Sequence, residues 1–177
     1  MMVIGIDPSL SETGVIGLRN GKIELSHLIK TKPSGDNPTR ELDRLTGIVD
    51  EIVFKVNEYR PDAIVIEGIA FMARNTSALI QLCGLSYLMR AALFPNFKVY
   101  IVPPSCLKKF ITDKGNAQKD LILLEIFKRY KVSFDNNNLA DAYGLARLGE
   151  NLIKKDVKLT KRQLEVVDLL SKQYEEN

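Results

Sequence analysis

Asn20-Gly21 stands between two runs rich in β-branched and apolar residues that together span Thr13 to Lys30. An Asn-Gly pair takes the left-handed backbone angles of a two-residue hairpin turn, and no short sequence signal commits a chain to a local fold more firmly. Just ahead of it, Val3-Ile4-Gly5-Ile6 reads as a short buried strand ending at Asp7-Pro8. The opening of the chain therefore predicts three antiparallel strands. Beyond Lys30 the pattern changes period. After a loop over Lys32 to Pro38, Asn37-Pro38 is placed to cap and begin a helix. Leu42, Leu45, Val49, Ile52, Val53 and Val56 then recur at helical spacing until Pro61. Ala63 to Glu67 and Lys98 to Val102 predict two further buried strands, with a helix over Thr76 to Phe94 between them. Helices are expected from Pro103-Pro104, over Ala117 to Tyr130 (Leu121, Leu124, Ile126, Phe127), over Leu139 to Lys155, and over Thr160 to Tyr174 (Leu164, Val167, Leu169, Leu170). A hairpin followed by strand–helix units implies an α/β fold: a mixed five-stranded sheet with helices on both faces.

Composition removes several function classes. The 177 residues suit one domain over 1–177, with a C-terminal helical extension at about 156–177, and are too few for the two lobes of a sugar-kinase or actin-like ATPase. A single histidine, His27, leaves little from which to build a Ser-His-Asp triad or a Cys/His zinc site. Two cysteines, Cys83 and Cys106, read as free thiols of a reducing compartment. No basic stretch precedes the first apolar run, and the longest charge-free stretch, Asn75 to Met89, is shorter than the roughly 20 residues that span a bilayer. The expectation is a soluble protein of the cytoplasm, with no membrane partner.

Three acids interrupt apolar segments. Asp7 ends the first buried strand, Glu67 ends the fourth, and Asp141 lies in a helix of small residues (Ala140, Ala142, Gly144, Ala146). Each has an ordinary explanation: Asp before Pro forms turns, Glu before Gly can close a strand, and a helical Asp can face solvent. All three holding at once is harder to accept, because strand ends of such a sheet converge at one edge. A buried carboxylate needs a partner, and several carboxylates together repel unless a cation holds them. Oxygen-only ligands suit Mg²⁺ or Mn²⁺.

Four blocks carry a resemblance. They are Ile4-Gly5-Ile6-Asp7-Pro8-Ser9-Leu10 with Thr13-Gly14; Ile66-Glu67 with Phe71-Met72-Ala73-Arg74-Asn75 and Ser77-Ala78-Leu79; Lys114-Gly115-Asn116-Ala117-Gln118-Lys119; and Ala140-Asp141-Ala142 with Gly144-Leu145-Ala146. In this order, over roughly residues 3 to 150, they resemble RuvC-type Holliday junction resolvases of the ribonuclease H-like superfamily. The wording of the first and third blocks is nearest to phage- or prophage-encoded members, which implies a bacterial or phage-infected host cell. The resemblance implies a ribonuclease H-like sheet and a Mg²⁺-dependent endodeoxyribonuclease acting on four-way junctions or other branched DNA. It implies that Asp7, Glu67 and Asp141 are metal-ligating catalytic residues holding two Mg²⁺ ions, for which Mn²⁺ can substitute. It further implies that Phe71 is an aromatic wedge near the junction centre, that Lys108 and Lys119 contact the DNA backbone, and that the protein is a homodimer. The helix over Thr76 to Phe94 is the candidate dimer contact. A branch-migration motor, which cellular resolvases of this type use, is left open as a partner.

One position departs from the pattern. Where the family commonly has a further acid or a histidine three residues before the last aspartate, this chain has Asn138. Positions i and i+3 share a helical face, so Asn138 is a catalytic candidate offering a neutral oxygen to metal or water; it could equally weaken a second metal site. A non-catalytic DNA-binding or RNA-processing relative of the same fold is the alternative that this substitution keeps open. Between Lys98 and Lys131 eight basic residues face three acids, which suits a phosphate backbone. Lys108, Lys109, Lys114 and Lys119 beside a Gly-containing loop are the expected DNA contacts there, with Arg74 and Asn75 beside Phe71; Lys128 to Lys131 are expected to be plain surface.

Overall fold

The computed structural model describes residues 1–33, 35, 37–69, 76–156 and 158–175. Asn20 and Gly21 take φ of 50° and 79°, and through them β2 (Glu12–Arg19) returns as β3 (Lys22–Lys30). β2 also pairs antiparallel with β1 (Met2–Asp7), which sets Asp7 opposite Gly14. On the other side of β1, β4 (Ala63–Glu67) runs parallel with Ile6 beside Ile66, and β5 (Val99–Val102) runs parallel to β4. The sheet order is β3-β2-β1-β4-β5, the mixed sheet that the hairpin and strand–helix units predict. This is the ribonuclease H-like arrangement.

Among the described residues, six helices flank the sheet on its two sides. α1 (Pro38–Tyr59) begins at the Asn37 side chain, whose Oδ1 accepts from the Thr39 and Arg40 N–H groups, and stops at Arg60 in the left-handed conformation before Pro61. With α2 (Thr76–Leu93), α1 packs on the face to which β1 turns Met2, Ile4 and Ile6. The opposite face, under Val3, Ala63 and Val65, carries α3 (Pro104–Thr112), α4 (Lys119–Tyr130), α5 (Asn137–Ile153) and α6 (Lys161–Glu175). β1 and β4 are thus covered on both sides, and their side chains are apolar at nearly every position. Among the described residues, no helix is long and apolar enough to cross a membrane.

The inward faces of two helices differ from the sequence expectation. On α4, Ile122 and Ile126 are buried, while Leu124 and Phe127 are about half exposed. On α6, Val166, Val167 and Leu170 are buried, while Leu169 is 59% exposed. These helices carry apolar residues on more than one side, and the side turned to α3 and α5 is the one covered. α6 also guards the sheet edge: the Ile101 N–H on β5 donates to the Tyr174 hydroxyl at 2.6 Å, so the edge strand does not offer that group to another chain.

Candidate active site

β1 and β4 end side by side. Alternation along each strand puts Asp7 on the face of Val3 and Gly5, and Glu67 on the face of Ala63 and Val65, the face that carries α5. α5 crosses that face at backbone contact. A Cβ on Gly5 would stand 2.1 Å from the Ala142 carbonyl oxygen, and one on Gly14 would stand 2.3 Å from the Asn138 carbonyl oxygen. Only glycine permits so close an approach. It brings in Asp141, which precedes Ala142 in α5, beside the two strand ends.

The three carboxyl groups disturb one another. Asp7 is 7% exposed, and its carboxyl is held well above the usual carboxylate range, by burial first and then by the charges of Glu67 and Asp141. Burial pushes Glu67 up to about 7, with the Asp141 charge adding to it and a hydrogen bond from Asp7 opposing it. Burial likewise pushes Asp141 up to about 6. Asp7 and Glu67 are in hydrogen-bond contact, so a shared proton offsets part of their repulsion. Asp141 Oδ1 is enclosed and has no hydrogen-bond partner. Among the described residues no three acid, histidine or cysteine side chains close tightly enough to enclose an ion as they stand. The acids converge at electrostatic range instead, with Asp7 and Glu67 touching.

A hard divalent cation fits this donor set. All donors are oxygens, three acids are gathered against their own repulsion, and an enclosed carboxylate oxygen lacks a partner. Two ammonium groups complete the charge pattern. Lys119, the first residue of α4, stabilises the ionised form of all three acids, and Lys108 on α3 does so for Glu67 and Asp141. Cations at this spot balance the acids and suit an incoming phosphate.

The other expected residues separate into groups. Lys114 is exposed in the loop between α3 and α4, where Thr112 Oγ1 accepts from its backbone N–H at 3.2 Å. Lys109, expected to meet DNA with Lys108, lies 2.8 Å from Glu165 of α6. Adjacent residues on a helix diverge by about 100°, and only Lys108 falls on the side of the acids. Lys128 pairs with Glu125 at the surface, as expected. The Arg129 side chain, tied to Glu125 and Asp113, is only 20% exposed with its Nη1 enclosed, and Tyr130 packs against the core. The expectation of plain surface does not hold for these two. His27 sits on the hairpin with Nε2 2.5 Å from Glu51 Oε1, and Cys83 and Cys106 are free thiols. Phe71, Arg74 and Asn75 lie outside the described residues. Asn138 is in the first turn of α5, which starts two residues before the expected Leu139 because Asn136 caps it. Its Nδ2 donates to the Glu12 carbonyl oxygen at 2.5 Å. Sequence reasoning overlooked Glu12 and Asn136; the Asn run before Leu139 was an available cap signal for the second, and nothing local marks the first.

Known proteins share both the sequence and the fold. The family model for crossover junction endodeoxyribonuclease RuvC matches residues 3–147. The RuvC protein of Rickettsia bellii is 30% identical over 157 residues, covering 82% of this chain and 94% of that protein. That of Prochlorococcus marinus is 28% identical over 159 residues, covering 84% and 97%. Among solved structures, Thermus thermophilus RuvC in complex with Holliday junction substrate superposes with a TM-score of 0.67 at 21% identity, over 82% of this chain and 90% of that one. The yeast mitochondrial Holliday junction resolvase superposes with a TM-score of 0.60 at 11% identity, over 98% and 83%. With the acids of β1, β4 and α5 all inside the matched span, the chain belongs to the RuvC family of crossover junction endodeoxyribonucleases.

Proposed function

We propose that this protein resolves four-way DNA junctions by divalent-metal-dependent hydrolysis of phosphodiester bonds, leaving 5′-phosphate and 3′-hydroxyl ends. The observation that carries this reading is the meeting of Asp7, Glu67 and Asp141, with Lys108 and Lys119 in electrostatic reach of them. Asp7, Glu67 and Asp141 would hold the ions, two Mg²⁺ or Mn²⁺. When bound, such ions ease ionisation of the attacking water and the growth of charge on the departing 3′ oxygen. Lys108 and Lys119 bind and orient the phosphate by charge, and the close seating of α5 on Gly5 and Gly14 keeps the acids in place while it happens. No histidine and no covalent nucleophile are required. Lys114, and Phe71, Arg74 and Asn75 in the segment after β4, are assigned to the DNA beyond the cleaved bond.

A junction is two-fold symmetric and needs two nicks, which suits a homodimer. On α2 and just after it, Ile80, Tyr87 and Phe94 recur every seven residues at 66%, 65% and 48% exposure, a seam fitted to a second copy of the same helix. The test of the function is cleavage of a synthetic four-way junction beside linear duplex, with Mg²⁺ or Mn²⁺. The wild type is expected to nick the junction in symmetric pairs and spare the duplex, while Asp7→Asn binds the junction and does not cut. Equal cutting of both DNAs, or cutting by Asp7→Asn, would overturn the reading.

A further inference from the structure

Side chains far apart in the chain join the start of β2 to the start of α5. Asn136 Nδ2 donates to Glu12 Oε2 at 2.7 Å, and Asn138 Nδ2 donates to the Glu12 backbone carbonyl at 2.5 Å. The same Asn136 caps the helix: its Oδ1 accepts from the N–H groups of Asn138 (2.9 Å) and Leu139 (3.2 Å). Lys30 of β3 stands 3.6 Å from the other Glu12 carboxylate oxygen. Two residues along β2, Gly14 meets the Asn138 carbonyl and pairs across with Asp7. Asp141 follows Asn138 by three residues, about 4.5 Å along the helix axis.

This junction opposes a definite force. The first turn of a helix is its weakest, because its leading N–H groups have no partner within the helix. Repulsion among Asp7, Glu67 and Asp141 would be relieved if that turn frayed and Asp141 swung away. We propose that Glu12 and Asn138 are positioning residues which, with the Asn136 cap, hold the start of α5 on β2 and so keep Asp141 beside Asp7 and Glu67 for a divalent ion. Asn138 thereby serves the site through Glu12, with its amide engaged on a backbone carbonyl, and is not itself a ligand. The inference rests on the metal-holding role proposed above.

Mn²⁺ affinity of the full chain tests it, read from the loss of the free Mn²⁺ signal in electron paramagnetic resonance, with circular dichroism confirming that each variant is folded. Partners one step removed from a metal commonly change affinity by 10–100-fold. Glu12→Ala is expected to weaken Mn²⁺ binding by about tenfold. Glu12→Gln keeps an oxygen acceptor for Asn136 and is expected to stay near the wild type. Asn138→Asp would set a carboxylate against the Glu12 carbonyl and is expected to weaken binding as well. In cleavage assays, raised Mn²⁺ should restore the kcat of Glu12→Ala, which a general loss of structure would not allow. Unchanged affinity in Glu12→Ala, equal losses in Glu12→Ala and Glu12→Gln, or tighter binding by Asn138→Asp would each overturn the proposal while leaving the metal site standing. A wild type that binds no Mn²⁺ would overturn both.

Discussion

Replacing Glu67 by Gln should make the metal-free protein more stable at neutral pH. In the fold, burial and the Asp141 charge hold the Glu67 carboxyl at about 7, against 4.5 for a free side chain. At pH 4 the group is mostly protonated in both states and contributes nothing to the difference. As pH rises past 4.5, the unfolded chain ionises while the folded one keeps its proton, so the folded state binds more protons and loses stability. The loss grows until about pH 7 and is complete above it. Each tenfold displacement of a protonation equilibrium is worth about 1.4 kcal/mol, so the full cost is on the order of 3 kcal/mol. Gln has nearly the same shape and never ionises; allowing for burial of its amide, it should recover about 1–3 kcal/mol. For a chain of this size that is a Tm rise of roughly 3–10 °C at pH 7.5 in EDTA. The rise should vanish near pH 4. Mg²⁺ should cancel most of that advantage or reverse it, since an ion at a hundred times its Kd adds about 2.7 kcal/mol to a protein that binds it. The wild type should gain that stability and Glu67→Gln should lose most of it. Thermal melts by circular dichroism at both pH values, with and without Mg²⁺, measure all four quantities. A variant that melts no higher than wild type in EDTA at pH 7.5, or that gains as much from Mg²⁺, would refute the reasoning.

Three further outcomes are expected. Lys119→Ala should weaken junction binding and flatten its dependence on salt, whereas Lys109→Ala, whose partner is Glu165, should leave junction affinity unchanged in the same titrations. Gly5→Ala should destabilise the fold by more than the usual overpacking cost of about 1–3 kcal/mol, because the added methyl meets the Ala142 carbonyl; urea unfolding measures it. Tyr87→Glu, on the exposed seam of α2, should shift sedimentation from dimer to monomer without changing the far-ultraviolet spectrum.

Much of this architecture is written locally. Asn20-Gly21 defines its turn through two residues with positive φ, and Asn37-Pro38 starts α1, because each signal acts within a few residues of itself. Asp7 and Glu67 are visible as acids closing apolar runs, and pairing β1 with β4 makes them neighbours. What sequence leaves hidden is set by distant partners. Leu124 and Phe127 look as apolar as Ile122 and Ile126, yet only the second pair is buried where α4 packs on α3 and α5. Lys109 looks like Lys108 until α6 supplies Glu165. Nothing near Glu12 hints that it receives two amides from a helix that begins 125 residues later.

Junction cleavage by this protein, as proposed, requires a divalent ion held jointly by β1, β4 and α5. Anomalous diffraction from crystals soaked in Mn²⁺ tests that directly. It should show density about 2.0–2.3 Å from carboxylate oxygens of Asp7, Glu67 and Asp141 together. Density elsewhere, or none with the three acids still pressed against one another, would contradict it.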